Sequence, residues 1–188
     1  MRRGKEAGLA TLAVAAFAAA MLCAPGVATA KSKLFLSGVI NTPIPNNTPT
    51  GVFAPISVGK KGTVKDVDVA VRISHPNVSQ LNLYLFKGEK YVALARNVGG
   101  TGNDFGSGTA GCSGFTVFDG AAPTFVQTGS APFNGAYRPA ESLGLFNGDG
   151  SKGTWRLFAY DQAGGTSGVV NCWALGLDYK KKKKKKKK

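Results

Sequence analysis

Ser167 and His75 are the first residues to consider for covalent chemistry. Ser167 ends a Gly165-Thr166-Ser167 turn and His75 is the sole histidine of the 188 residues, so a serine-type mechanism could draw on one nucleophile and one base only. Acid–base work on glycosides would need two carboxylates facing one bond, and Asp104, Asp119, Glu141, Asp149 and Asp161 are the candidates among ten acids. All five lie near glycine-rich turns, where acids commonly cap loops, and the spacing pairs none of them. Zinc chemistry is disfavoured, with one histidine and only Cys112 and Cys172 beyond the first thirty residues.

Any such residues must be held by a scaffold, and its class can be read from composition. A chain of this length fits one domain with a real core. Hydrophobic residues at 43%, with 10% aromatic, exclude wholesale disorder. Glycine at 26 residues, with nine prolines, favours many turns over long helices. The formal charge of +14 is not spread over the fold. Residues 1–30 contribute +2 and Lys180–Lys188 contribute +9, leaving +3 for 31–179. A basic groove for nucleic acid is therefore not indicated, and no specific nucleic-acid partner is expected.

Met1–Lys5 is basic, Leu9–Leu22 is uncharged and alanine-rich, and Ala28-Thr29-Ala30 has the small-x-small form of a cleavage site. The expectation is a signal peptide over 1–30, cleaved after Ala30, with no transmembrane segment and a secreted or extracytoplasmic product. Cys23 would then be lost with the signal; Ala20-Met21-Leu22 does not suit lipid modification. In an oxidising compartment Cys112 and Cys172 should form a disulfide, stabilising by roughly 4 kcal/mol through the loop of about 60 residues that it closes.

Val67, Val69, Val71 and Ile73 alternate with Asp66, Asp68, Ala70 and Arg72, the period of a half-buried strand. Leu81, Leu83 and Leu85 repeat it after His75-Pro76-Asn77, which suits a turn between paired strands. Lys87-Gly88-Glu89 turns into Tyr91–Ala95, and Asn97–Gly114 reads as a long surface loop pinned by Cys112. Trp155, Leu157 and Ala159 alternate with Arg156, Phe158 and Tyr160, and Trp173, Leu175 and Leu177 share a face. These segments read as the last two strands, antiparallel and joined by the Gly164–Gly168 loop. No apolar stripe of helical period occurs beyond residue 30, so an all-β sandwich or jelly roll is expected.

Several ordered fragments resemble one family. Ile44-Pro45-Asn46-Asn47-Thr48-Pro49-Thr50-Gly51-Val52, the strand ending at His75, Leu81 to Leu85, Ala131-Pro132-Phe133-Asn134-Gly135-Ala136-Tyr137-Arg138-Pro139, Phe146-Asn147-Gly148, Gly153-Thr154-Trp155-Arg156-Leu157, then Asp161, Gly168, Trp173 and Leu175 are similar to the P domain, or P/Homo B domain. That domain follows the catalytic domain of kexin- and furin-like proprotein convertases and accompanies secreted bacterial subtilisin-like peptidases. The resemblance spans 38–179, leaving 31–37 as a lead-in and 180–188 as a solvated lysine tail.

The resemblance implies a jelly-roll β-sandwich of the galactose-binding-like kind, with two antiparallel sheets, and a non-catalytic accessory role. His75 is then a structural hydrogen-bonding residue at a strand end. No Asp-Thr/Ser-Gly or His-Gly-Thr-His-like segment accompanies Ser167, and 31–179 cannot hold both this domain and a subtilisin fold. Related domains often bind calcium, which makes Asn103, Asp104, Asp119 and Asp161 the candidate ligands. Ser79-Gln80, Gly120-Ala121 and Thr166 stand where further acids are common, so the charge at such a site is reduced. Two functions are weighed: support of a serine peptidase in trans, and independent adhesion or ligand binding. For Lys180–Lys188 the choices are an anionic cell-envelope surface, loose nucleic-acid binding or no partner; without interleaved aromatics the tail lacks the stacking of a single-strand binder.

Overall fold

A computed structural model describes residues 33–107 and 111–180. The expected signal peptide and Lys181–Lys188 lie outside the described residues. Ten strands form two sheets. Sheet A orders β1 (Lys33–Leu36), β10 (Gly168–Lys180), β4 (Thr63–Ser74), β7 (Thr116–Phe118) and β8 (Gly135–Tyr137), with β2 (Thr42–Ile44) also on β10. Sheet B orders β3 (Val52–Val58), β9 (Gly153–Asp161), β5 (Leu81–Lys87) and β6 (Lys90–Arg96). Pairing is antiparallel except between β7 and β8, which run parallel. This is the all-β sandwich that the alternating pattern predicts.

The inner faces are the alternating apolar positions. Val67, Val69, Val71 and Ile73 of β4 and Trp173, Leu175 and Leu177 of β10 meet Leu81, Leu83 and Leu85 of β5 and Trp155, Leu157 and Ala159 of β9, all effectively removed from water. Each fully buried aliphatic side chain contributes about 1.5–3 kcal/mol, and the two indoles supply the largest areas. Trp155 Nε1 donates to Ser151 O at 3.1 Å.

Four expectations are corrected. His75-Pro76-Asn77 does not join paired strands: β4 is in sheet A and β5 in sheet B, so the chain crosses the sandwich there. The Gly164–Gly168 loop likewise carries the chain from β9 in sheet B to β10 in sheet A. Residues 31–37 are not merely a lead-in, since Lys33–Leu36 pairs with Leu177 to Ala174 as an edge strand. Lys180, assigned to the tail, ends β10 opposite Thr63.

The 97–114 connection is also less superficial than its composition suggests. Phe105 is fully buried, exchanges backbone hydrogen bonds with Ile73 at 2.9 and 3.0 Å, and stacks on Phe133 at 4.8 Å. Val98, also buried, and Phe105 together draw the loop into the core. Cys112 does tie this loop to β10 through a disulfide with Cys172, at a Cα separation of 5.2 Å. Gly51, at φ +48°, passes so close to sheet B that a Cβ would lie 2.5 Å from Ala159 O and 2.7 Å from Tyr160 Cβ. Among the described residues no helix is long and apolar enough to cross a membrane.

Candidate functional site

Because β4 and β9 end at the same margin of the sandwich, the two sheet crossings bring His75 and Asp161 together. His75 Nε2 lies 3.2 Å from Asp161 Oδ2, with both side chains fully enclosed. The Asn77 backbone N–H donates to His75 Nδ1 at 3.0 Å, so Nδ1 is the acceptor and the ring hydrogen sits on Nε2, facing the carboxylate. Asp161 Oδ1 accepts from Ala163 N at 2.9 Å. Asp104 closes the other side: His75 N donates to its Oδ1 at 2.9 Å, and Arg72, itself buried, reaches its Oδ2 at 3.7 Å. A Cβ on Gly168 would lie 2.5 Å from His75 Cδ2, so the start of β10 presses on the ring.

Ser167 precedes that glycine and is exposed. Both ring nitrogens of the sole histidine are engaged by Asn77 and Asp161, which leaves neither to accept a proton from a serine hydroxyl. The arrangement clasps the two sheets where the chain crosses between them.

The four candidate calcium ligands do not form one shell. Asp104 and Asp161 flank His75, and Asn103 is exposed beside Asp104. Asp119 follows Phe118, which pairs with Val69, and so lies near Asp68, about 20 Å along β4 from His75 at the rise of a strand. Its Oδ1 accepts from Ala121 N at 2.7 Å, a local turn bond. Among the described residues no three of His, Cys, Asp and Glu are grouped so as to hold a metal ion. The structure thus brings Asp104 and Asp161 together at His75 and places Asp119 apart; all three carboxylates accept from backbone N–H groups, and those of Asp104 and Asp161 also face Arg72 and His75. Glu141 and Asp149, the other two acids near glycine-rich turns, are also paired. Glu141 accepts from Ala93 N and pairs with Arg96, and these hold its carboxyl below the usual range. Asp149 pairs with Lys90 at 2.9 Å.

Two features escaped the sequence reading. On the outer face of sheet A, Asp66 stands opposite Asp178, and Asp68 is opposite Gly176. Burial, then repulsion by Asp66, Asp119 and Asp178, pushes the Asp68 carboxyl up to about 8. One oxygen each of Asp68 and Asp178 is enclosed without a hydrogen-bond partner.

On the outer face of sheet B the chemistry is the reverse. The strand register lays out three rungs. Phe53, Phe158 and Tyr84 form the first; Pro55, Arg156, Phe86 and Tyr91 the second; Tyr160, Asn82 and Arg96 the third. Neighbouring rings contact one another, as in Phe53–Phe158 at 4.5 Å and Phe86–Tyr91 at 5.1 Å. The Arg156 guanidinium lies 4.8 Å from the Phe53 ring and 5.6 Å from Phe86, within cation–π range. Beside this face is an open cleft of about 560 Å³ lined by Lys87, Gly88, Lys152, Gly153, Thr154 and Arg156. The alternation of Arg156, Phe158 and Tyr160 with the inner residues of β9 carried this signal; Tyr84, Phe86 and Tyr91 were the missing neighbours.

No family model matches the chain, and no curated protein does. Among solved structures, the serine protease of Aeromonas sobria in complex with its chaperone is similar at a TM-score of 0.49 and 15% identity, over 86% of this chain and 29% of that one. The same protease alone gives 0.48 and 16%, over 84% and 28%. The chain thus spans under a third of the length of these structures.

Proposed function

We propose that this chain is a non-catalytic, extracytoplasmic β-sandwich module that assists a subtilisin- or kexin-type serine peptidase by docking on it. The observation that carries the non-catalytic part is the buried His75–Asp161 clasp, which spends both histidine nitrogens on architecture. The peptidase association rests on the ordered P-domain-like fragments, whose residues occupy structural posts: Trp155 and Trp173 in the core, Phe133 against Phe105, and His75 at the sheet crossing. A Cys112–Cys172 disulfide suits an oxidising compartment.

The test uses a fluorophosphonate probe, which labels active serine hydrolases. From the medium of the producing cells, the purified chain should itself remain unlabelled and should co-elute with a labelled subtilisin-type peptidase that loses activity on heating more slowly in its presence. Labelling of the chain at Ser167, or the absence of any labelled partner, would overturn the proposal. A second reading, an independent recognition module, is favoured by the exposed aromatic and arginine face of sheet B.

A further inference from the structure

We infer that the outer face of sheet B, together with the cleft beside it, is a binding site for an acidic polysaccharide. Three cationic side chains, Lys87, Lys152 and Arg156, line that cleft, and none of its lining residues is acidic. Asp149, whose charge acts on Lys87, is already held by Lys90 at 2.9 Å, and Glu89 follows the lining residue Gly88 at the exposed hairpin turn. Lys87 spends one donor on Gly150 O and Arg156 one on Gly88 O, so both keep free N–H groups for an anion. At the two margins of the sheet, Phe53 and Tyr91 are 44% and 51% exposed, the rest of the ring cluster being half-buried beneath them. Their strands are three spacings apart, about 14 Å, and both rings lean in over Phe86, at 5.5 and 5.1 Å from it.

A compact anion would need only the cleft. Exposed rings spread across four strands with cations to one side suit a polymer that repeats both a ring and a negative charge. Sugar rings offer apolar C–H faces to aromatic side chains, and their carboxylates or sulfates offer bidentate partners to arginine. Single-stranded nucleic acid has comparable features. The disulfide, however, points to an oxidising compartment, where acidic glycans are the abundant polymers of this kind. The inference is independent of the peptidase reading, and its test contains no peptidase, so either can fail alone.

The full chain, including Lys180–Lys188, is measured at 0.15 M salt on immobilised polygalacturonate, dextran sulfate and neutral dextran, with oligothymidylate as competitor. Retention is expected on an acidic polymer and not on dextran, the two acidic arms distinguishing carboxylate from sulfate. Arg156→Ala and Tyr91→Ala should each weaken binding about tenfold, which corresponds to a change of about 1.4 kcal/mol. Lys152→Glu, at an exposed site, should weaken it at least as much and guards against misfolding in the other two. Melting temperatures confirm the fold of each variant. The lysine run is identical in all of them and sets the background. Equal binding by all variants, no retention on either acidic polymer, or complete displacement by oligothymidylate at lower concentration than by soluble polymer would each overturn the inference.

Discussion

The two outer faces of the sandwich rest on the same kind of alternating strands and have opposite chemistry. On sheet A, the outward positions along the middle of β4 and β10 are small or acidic: Ala70 faces Ala174, Asp68 faces Gly176 and Asp66 faces Asp178, with the buried Arg72 opposite Cys172 beyond them. Leu34 and Phe115 pack against the small-residue seam there, so acids sit partly enclosed beside apolar cover. On sheet B the outward positions are mostly aromatic, with Arg156 of β9 among them; the rings cover one another and still present Phe53 of β3 and Tyr91 of β6 to solvent. Alternation fixes only that an outward position need not be apolar. What is placed there is free to differ, and the difference locates strain on one face and recognition on the other.

If the two faces are decorations on one shared core, core damage must abolish both together. Trp155→Ala and Trp173→Ala should each cost about 3–5 kcal/mol, read as a fall in denaturant midpoint with an unchanged slope. Trp155→Ala should lie at the upper end, because Ser151 O then loses its indole donor. A single transition by intrinsic fluorescence and far-ultraviolet circular dichroism is expected. Two separated transitions would mean that the sheets are independent units, and the comparison of faces would lose its basis.

The clasp between the sheets comes next in size. Asp161→Ala removes the acceptor of the buried His75 Nε2–H and of the Ala163 N–H, and a hydrogen bond to a charged group contributes about 1.5–3 kcal/mol. The expected loss is in that range, without any effect on polysaccharide retention. A loss of retention as well would show that the crossing margin and the face of sheet B are coupled.

How far the sequence carried these distinctions can be seen residue by residue. Val67 to Ile73 and Leu81 to Leu85 disclosed strands and their inner faces, because a period of two is a local property. Sheet membership is not local. A turn such as His75-Pro76-Asn77 serves a hairpin or a crossing equally well, and only the distant partner, Ser74 opposite Val169, decides between them. The same blindness hid the clasp: His75 and Asp161 are 86 residues apart. It also hid how the loop acids divide, since Asp119 lies beside the middle of β4 while Asp104 and Asp161 flank His75 just past its end. Lys33–Leu36 was too short to stand out from a leader, and becomes a strand through its ladder to β10.

The acid face makes a pH-dependent prediction. Asp68 has its carboxyl raised from 3.8 to about 8 by burial first and by Asp66, Asp119 and Asp178 next. Between these values the unfolded chain has released the proton and the folded chain retains it. Stability therefore falls as pH rises from about 4 to 8, by at most about 1.4 kcal/mol per unit. Asp68→Asn cannot ionise, so it should flatten this slope and exceed the wild type at pH 8 by roughly 2 kcal/mol, or about 4–8 °C in melting temperature, with little difference at pH 4. A variant no more stable than wild type at pH 8 would remove the strain assigned to sheet A.

The smallest effect is expected where the recognition argument is strongest. Tyr91 is half exposed on the edge strand β6, and its ring contacts are with Tyr84 and Phe86, which retain other ring neighbours. An aromatic pair contributes about 0.5–1.5 kcal/mol beyond burial, and partial exposure halves what burial would supply, so Tyr91→Ala should cost about 1 kcal/mol or less in stability. The same substitution is expected to weaken retention on acidic polysaccharide about tenfold. A residue that contributes to folding moves both readouts together; a residue kept at the surface for a ligand moves the second far more than the first. Should Tyr91→Ala instead cost several kcal/mol and leave retention untouched, the rings of sheet B would be a second core in all but position, and the two faces of this protein would differ in composition only.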